Sequence, residues 1–250
     1  MASKILVPTD FSPCANYAAS LAIELAAKIK ASVHFFHAAP VHPFWNELTE
    51  QEKLEFPTSF AEMHDMKSRF DDILQTNAHK GVAMETSYAA GNLLTATRKL
   101  IDDEGMDLVV MGSHGASGMQ EIVFGSNAQK LVRHAHCPVM VVKHETQADF
   151  QRIVFASDFS DEAIPAFEWL VRFAKVTGAE LLLLHIIPEA RFGGKDQLPP
   201  VNFEPFLART DTVSVSTQSY SDMDIEAGIT NFSKRVNADL VISFSFLPSF

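Results

Sequence analysis

Cysteine is nearly absent from this chain: 250 residues contain two, Cys14 and Cys137. Thiols so few and so far apart form neither a disulfide framework nor a CxxC site, and they read as reduced core or near-core thiols. No apolar run reaches the roughly 18 residues that a membrane span needs. The opening MASKILVPTDF has too short an apolar run before Asp10 for a secretory signal. Basic runs of five or more are missing as well, and the net charge is −11. That field repels nucleic acid and anionic lipid, so neither a nucleic acid nor a membrane is expected as a partner. These absences point to a cytoplasmic protein whose anionic ligands, if any, are held by local backbone dipoles. Catalytic patterns are scarce too, with no nucleophile elbow, Ser-His-Asp order or paired carboxylates in view.

Present instead is a repeat. Lys4-Ile-Leu-Val-Pro-Thr-Asp-Phe-Ser12 aligns with Arg152-Ile-Val-Phe-Ala-Ser-Asp-Phe-Ser160 at an offset of 148. The register holds through Val33–Pro40 against Leu181–Pro188. Ser87-Tyr88 then matches Ser219-Tyr220, and Asp107–Val110 matches Asp239–Ile242, at an offset of 132. Two copies of one domain follow, residues 1–145 and 150–250, with the polar segment His144–Asp149 as the seam. Each copy opens strand, helix, strand. Ile5–Val7 reads as a buried strand, Ser12 as an N-cap with Pro13 at the first helical position. Ala18, Leu21, Ala22, Leu25, Ala26 and Ile29 form one apolar stripe, matched by Ala166, Trp169, Leu170, Phe173 and Ala174. Strands at Val33–Phe36 and Leu181–Leu184 complete these units. Such alternation specifies α/β domains with doubly wound parallel sheets.

The first copy continues with a helix over 58–75, whose apolar face includes Phe60, Met63, Phe70 and Leu74. A strand at 83–88, a helix at 92–102, a strand at 108–111, a helix at 127–134 and a strand at 139–142 follow. The second copy has a Pro/Gly-rich passage at 192–200 and ends after its fourth strand, a truncated domain.

Between the fourth strand and the last helix of the first copy lies GSHGASGMQEIVFGS, residues 112–126, with four glycines. Composition alone leaves a plain loop and a phosphate cradle both open. Ser126-Asn-Ala-Gln129 fits a capping box, and a helix N-terminus preceded by glycine lets backbone N–H groups approach an anion. Ligands on open α/β sheets bind beyond the carboxyl ends of strands, where the winding reverses. Asp10, at the end of the first strand, reads either as a turn residue or as a carboxylate facing that crevice. The stretch is neither a Walker A sequence nor the dinucleotide GxGxxG.

The spacing Gly112-x-x-Gly115, nine residues, then Gly125-Ser126 resembles the nucleotide-binding signature of the universal stress protein family. ILVPTDFS, the histidine at the end of the second strand and HCPVMVV resemble it too. The resemblance covers both copies. It implies the adenine-nucleotide alpha hydrolase-like fold with strand order 3-2-1-4-5. It also implies ATP, with or without magnesium, in the first domain. Adenine would lie against Pro8, Thr9, Asp10 and Ala38, with Met111 and Gly112 flanking base and ribose. Gly115, Gly125, Ser126 and Asn127 would hold the phosphates. His114 reads either as a phosphate contact or as a solvent-facing side chain. The second copy keeps Asp158 without the glycine stretch, so one nucleotide per chain is expected. The family also implies a homodimer through the strand Val139–Val142.

The function expected is a non-catalytic stress-response regulator or sensor. The alternatives are a slow ATPase using the same site and an interaction module presenting Phe244, Phe246 and Phe250. Ten histidines suggest a metal, but His34 and His37, three apart on a strand, point to opposite faces. His134 and His136 flank a helix end without a partner at familiar ligand spacing. No dedicated metal site is expected. His37 and His185 are expected to share one structural job.

Overall fold

Strands of four to nine residues, most apolar at the centre of each sheet, build two parallel sheets. The computed structural model describes residues 4–42, 44–113, 125–189 and 201–244. The chain divides into two units, Ala2–Ala148 and Asp149–Phe250.

In the first unit β1 (Lys4–Pro8) is buried from Ile5 onward, as a strand covered on both faces must be. The helix α1 (Pro13–Ile29) starts where the sequence predicts: Ser12 Oγ accepts from the Ala15 N–H, and Pro13 occupies the first turn. Its stripe from Ala15 to Ile29 is buried. Then come β2 (Ser32–Ala39), the single-turn α2 (Glu50–Lys53) and α3 (Pro57–Asn77). The buried face of α3 is Met63, Met66 and Phe70. Phe60, expected there, is exposed; it lies in the first turn, about 60° around the helix from Met63. The unit closes with β3 (Met84–Ala90), α4 (Leu93–Glu104), β4 (Leu108–Gly112), α5 (Ser126–His134) and β5 (Val139–Val142). The sheet order is β3-β2-β1-β4-β5, with every pairing parallel. The chain winds outward from β1 in both directions, which opens a crevice at the carboxyl ends of β1 and β4.

The second unit contains β6 (Arg152–Ala156), α6 (Ile164–Thr177), β7 (Glu180–Pro188), α7 (Glu204–Leu207), β8 (Val215–Asp222), α8 (Ile225–Arg235) and β9 (Leu240–Ser243). Its described sheet has four strands, β8-β7-β6-β9, all parallel. On α6, Phe167 replaces the expected Ala166 among the buried residues, and Trp169 is only half-buried, stacked on Phe173. The passage 192–199 and residues Pro200, Phe246 and Phe250 lie outside the described residues.

Register corrects one equivalence. Tyr88 sits opposite His37, whereas Ser219, not Tyr220, sits opposite His185. The Ser-Tyr match in sequence is therefore displaced by one residue, and a one-residue slip reverses every side chain's face. Tyr88 donates its hydroxyl to Asn46 Oδ1 at 2.5 Å. Tyr220, turned the other way, packs on Phe232 of α8 with ring centroids 5.6 Å apart.

Candidate functional site

The turn after β1 is held by its own side chains. Phe11 adopts a left-handed φ of 59°, and its N–H donates to Thr9 Oγ1 at 2.9 Å. The Ser12 N–H donates to Asp10 Oδ1 at 3.0 Å. Asp10 is thus a turn residue, and its exposed carboxylate also faces the crevice; the two readings coexist. Ser157, Asp158, Phe159 (φ 59°) and Ser160 repeat the turn in the second unit with the same bonds.

His37 anchors the turn from β2. Its Nδ1 lies 2.7 Å from the Thr9 carbonyl, which can only accept, so Nδ1 carries a proton. His34, three residues earlier, points to the opposite face, toward Ser87. Among the described residues His185 makes no bond like that of His37, so the expected shared job fails. Burial instead pushes its imidazole below the ordinary range, with Asp158 opposing more weakly.

Gly112, at the end of β4, answers to packing. A Cβ there would stand 2.8 Å from both the Ala15 nitrogen and the Cys14 carbonyl carbon. Only glycine lets β4 end this close to the first turn of α1. Across the glycine stretch, the Gly125 N–H donates to the Ser113 carbonyl at 2.8 Å, and the Ser113 N–H to the Val142 carbonyl. The Gly125 N–H is therefore engaged within the protein.

The start of α5 departs from the capping box. Gly125 is the N-cap and Ser126 the first helical residue, and the N-cap residue itself offers no side-chain cap. The first intrahelical bond is Gln129 N–H to the Gly125 carbonyl. The N–H groups of Ser126, Asn127 and Ala128 precede it and lack a partner within the helix. They carry the positive end of the helix dipole to the crevice.

A cavity of about 320 Å³ occupies that crevice, within the range of small-molecule sites. Pro8, Thr9, Asp10, Ala38, Met111, Gly112, Gly125, Ser126 and Asn127 all line it. His114 and Gly115 lie outside the described residues. Ala15, His37, Leu93, Ser113 and Ala128 also line it; they come from helix starts and strand ends whose convergence only the winding creates. A second hollow, about 400 Å³, opens in the other unit between Gln151, Lys175, Glu180 and Ser214. It sits at the amino ends of β6 and β7, away from the turn that carries Asp158.

A parallel sheet with a reversal crevice, a strand-end carboxylate and a helix N-terminus facing the same cavity defines a doubly wound α/β protein. The sequence pattern of the universal stress protein family matches residues 1–143 and 149–243. The chain belongs to that family, as two tandem copies. A universal stress protein of Methanocaldococcus jannaschii is 30% identical over 148 residues, covering 56% of this chain and 81% of its own. Another, from Bacillus subtilis, is 28% identical over 159 residues, covering 57% and 100%. Among solved structures, a universal stress protein from Archaeoglobus fulgidus superposes with a TM-score of 0.73. It shares 20% identity over 97% of this chain and 85% of that one, a likeness of fold.

Proposed function

We propose that the first unit binds one adenine nucleotide, ATP, and acts as a nucleotide-responsive, non-catalytic regulator in stress responses. The observation that carries this reading is the cavity between the Thr9–Asp10 turn and the start of α5. Pro8, Ala38, Leu93 and Met111 supply an apolar slot for a base. The Asp10 carboxylate can accept from ribose hydroxyls. The first N–H groups of α5 and the Ser126 hydroxyl suit phosphate, with or without magnesium. Gly115 and His114 are assigned to the phosphate end on the family motif.

Ser126→Pro tests the reading without breaking the helix. Proline is favoured at the first helical position. The preceding Gly125, at φ −56° and ψ 151°, already has the extended backbone that a following proline demands. The substitution removes one N–H and one hydroxyl from the phosphate end. Isothermal titration with Mg-ATP should give one site per chain in wild type and at least tenfold weaker binding in the variant, with helix content unchanged. Absence of binding by wild type at millimolar ATP would sink the idea.

The outer position of β5 supports a homodimer through Val139–Val142. Free cysteines support a reducing, cytoplasmic setting. The charge of −11 supports a partner set without nucleic acid or anionic membrane.

A further inference from the structure

We propose that His34, Glu85 and Glu104 form a binding site for a divalent transition metal of the zinc class, separate from the nucleotide cleft. His34 on β2 and Glu85 on β3 are register partners in adjacent parallel strands, so their side chains leave the same face of the sheet. Glu104 is the last residue of α4, whose packing on that face brings its carboxylate to the pair. One ligand atom from each residue lies within 4.8 Å of the other two.

The histidine is what makes this more than an acidic cluster. His34 is 7% exposed, and its Nδ1 is sealed from solvent without a hydrogen bond. That atom nevertheless faces Glu104 Oε2 at 3.3 Å and Glu85 Oε2 at 4.0 Å. On the other side of the ring, Nε2 lies 2.6 Å from Ser87 Oγ. With the proton on Nε2 and donated to Ser87, Nδ1 presents a bare lone pair to two carboxylates. Three acceptors meeting in this way repel one another unless a cation joins them. A neighbour that fixes the tautomer by accepting from the second ring nitrogen is the usual outer support of a metal-bound histidine.

Imidazole nitrogen with two carboxylates suits zinc and its neighbours in the first transition row, not magnesium or calcium, which favour oxygen donors alone. Three protein ligands leave further positions for water, consistent with Glu85 and Glu104 side chains that are 73% and 36% exposed. The carboxyl end of α4 adds the negative pole of its dipole. Lys4 Nζ is engaged nearby, donating to the Glu104 main-chain carbonyl at 3.2 Å.

The second unit shows that the fold does not require these residues. By register, Leu182 and Ser216 stand in the places of His34 and Glu85. Left-handed Gly105 and Asn237, with φ of 66° and 50°, end the equivalent helices and put Val236 in the place of Glu104. Leu182 and Val236 are partly buried there and pack against the apolar cluster that contains Phe232.

The test uses the full chain stripped of nucleotide and metal, incubated with Zn²⁺, dialysed and assayed for bound metal. Co²⁺ uptake, followed by visible absorption, reports the geometry. One ion per chain is expected in wild type. Glu85→Gln should bind at least tenfold more weakly, and His34→Leu, which copies the second unit, should bind none while melting as a folded protein. Wild type that retains no ion would overturn the proposal. So would uptake undiminished in both variants, which would place the ion on other histidines. Nucleotide titration of the same variants keeps this outcome separate from the fate of the ATP reading.

Discussion

At the residue scale, single atoms decide what a motif position is for. Gly112 opens the glycine stretch, yet its contacts make it a packing residue first. Gly112→Ala should lower stability by roughly 1–3 kcal/mol, since an added methyl overlaps backbone that cannot swing aside. An unchanged urea midpoint would contradict this. The Cys137 thiol is pushed up to about 11 by burial and by Asp107 and Asp102, which keeps it protonated and inert at neutral pH. His185 sets a pH dependence. Burial lowers its folded pKa, so below about pH 6.5 the unfolded chain takes up a proton that the folded chain refuses. Its contribution is therefore intact above that pH, declines as the pH falls, and levels off below the folded value. The melting-temperature drop from pH 7.5 to 5.5 should be smaller in His185→Gln than in wild type. An equal or larger drop would rule this out.

At the scale of elements, most of the fold was legible in periodicity and caps. Ser12-Pro13 started α1 because that cap depends on residues within one turn, and the helix expected from 92 begins at Leu93 with Asn92 as its cap. The misreadings have physical causes of a different reach. Ser126 was one residue too late to be a cap, because the Ser113 carbonyl holds the Gly125 N–H and thereby fixes where α5 begins. This is also why Ser126→Pro should leave α5 intact, with a melting temperature close to that of wild type, while its ligand contacts are lost. The Ser-Tyr pair in β3 and β8 looked equivalent, but strand register is set by packing across the sheet, and it differs by one residue. Along the chain His34 has no ligand at useful spacing. Its partners come from a neighbouring strand and a helix end, a juxtaposition no local pattern encodes.

For the whole molecule, the sheet order leaves β5 at one edge of the first sheet. Its even-numbered residues bond inward to β4: the Ser113 N–H reaches the Val142 carbonyl and the Val109 N–H the Pro138 carbonyl. Strand alternation then turns the backbone of Val139 and Val141 outward. Val141→Pro should remove an outward donor while sparing the bonds to β4. Light scattering should find a dimer in wild type and a monomer in the variant. A wild-type monomer at tens of micromolar would refute the dimer, and an undiminished dimer in the variant would place its interface elsewhere. No helix among the described residues is long and apolar enough to cross a membrane.

By itself the sequence determined the duplication, the α/β class, the chain position of the strands and longer helices of the first copy, and the family motif. These are local or repeated patterns, carried by hydrophobic spacing and by caps that act within a turn. Only the tertiary structure decided that Asp10 belongs to a turn as well as to the cleft, that Gly112 answers to α1, and that the Gly125 N–H is engaged within the protein. It alone brought His34, Glu85 and Glu104 together. Each of these depends on contacts between residues far apart in sequence, and such contacts exist only once parallel pairing and packing have set register and face.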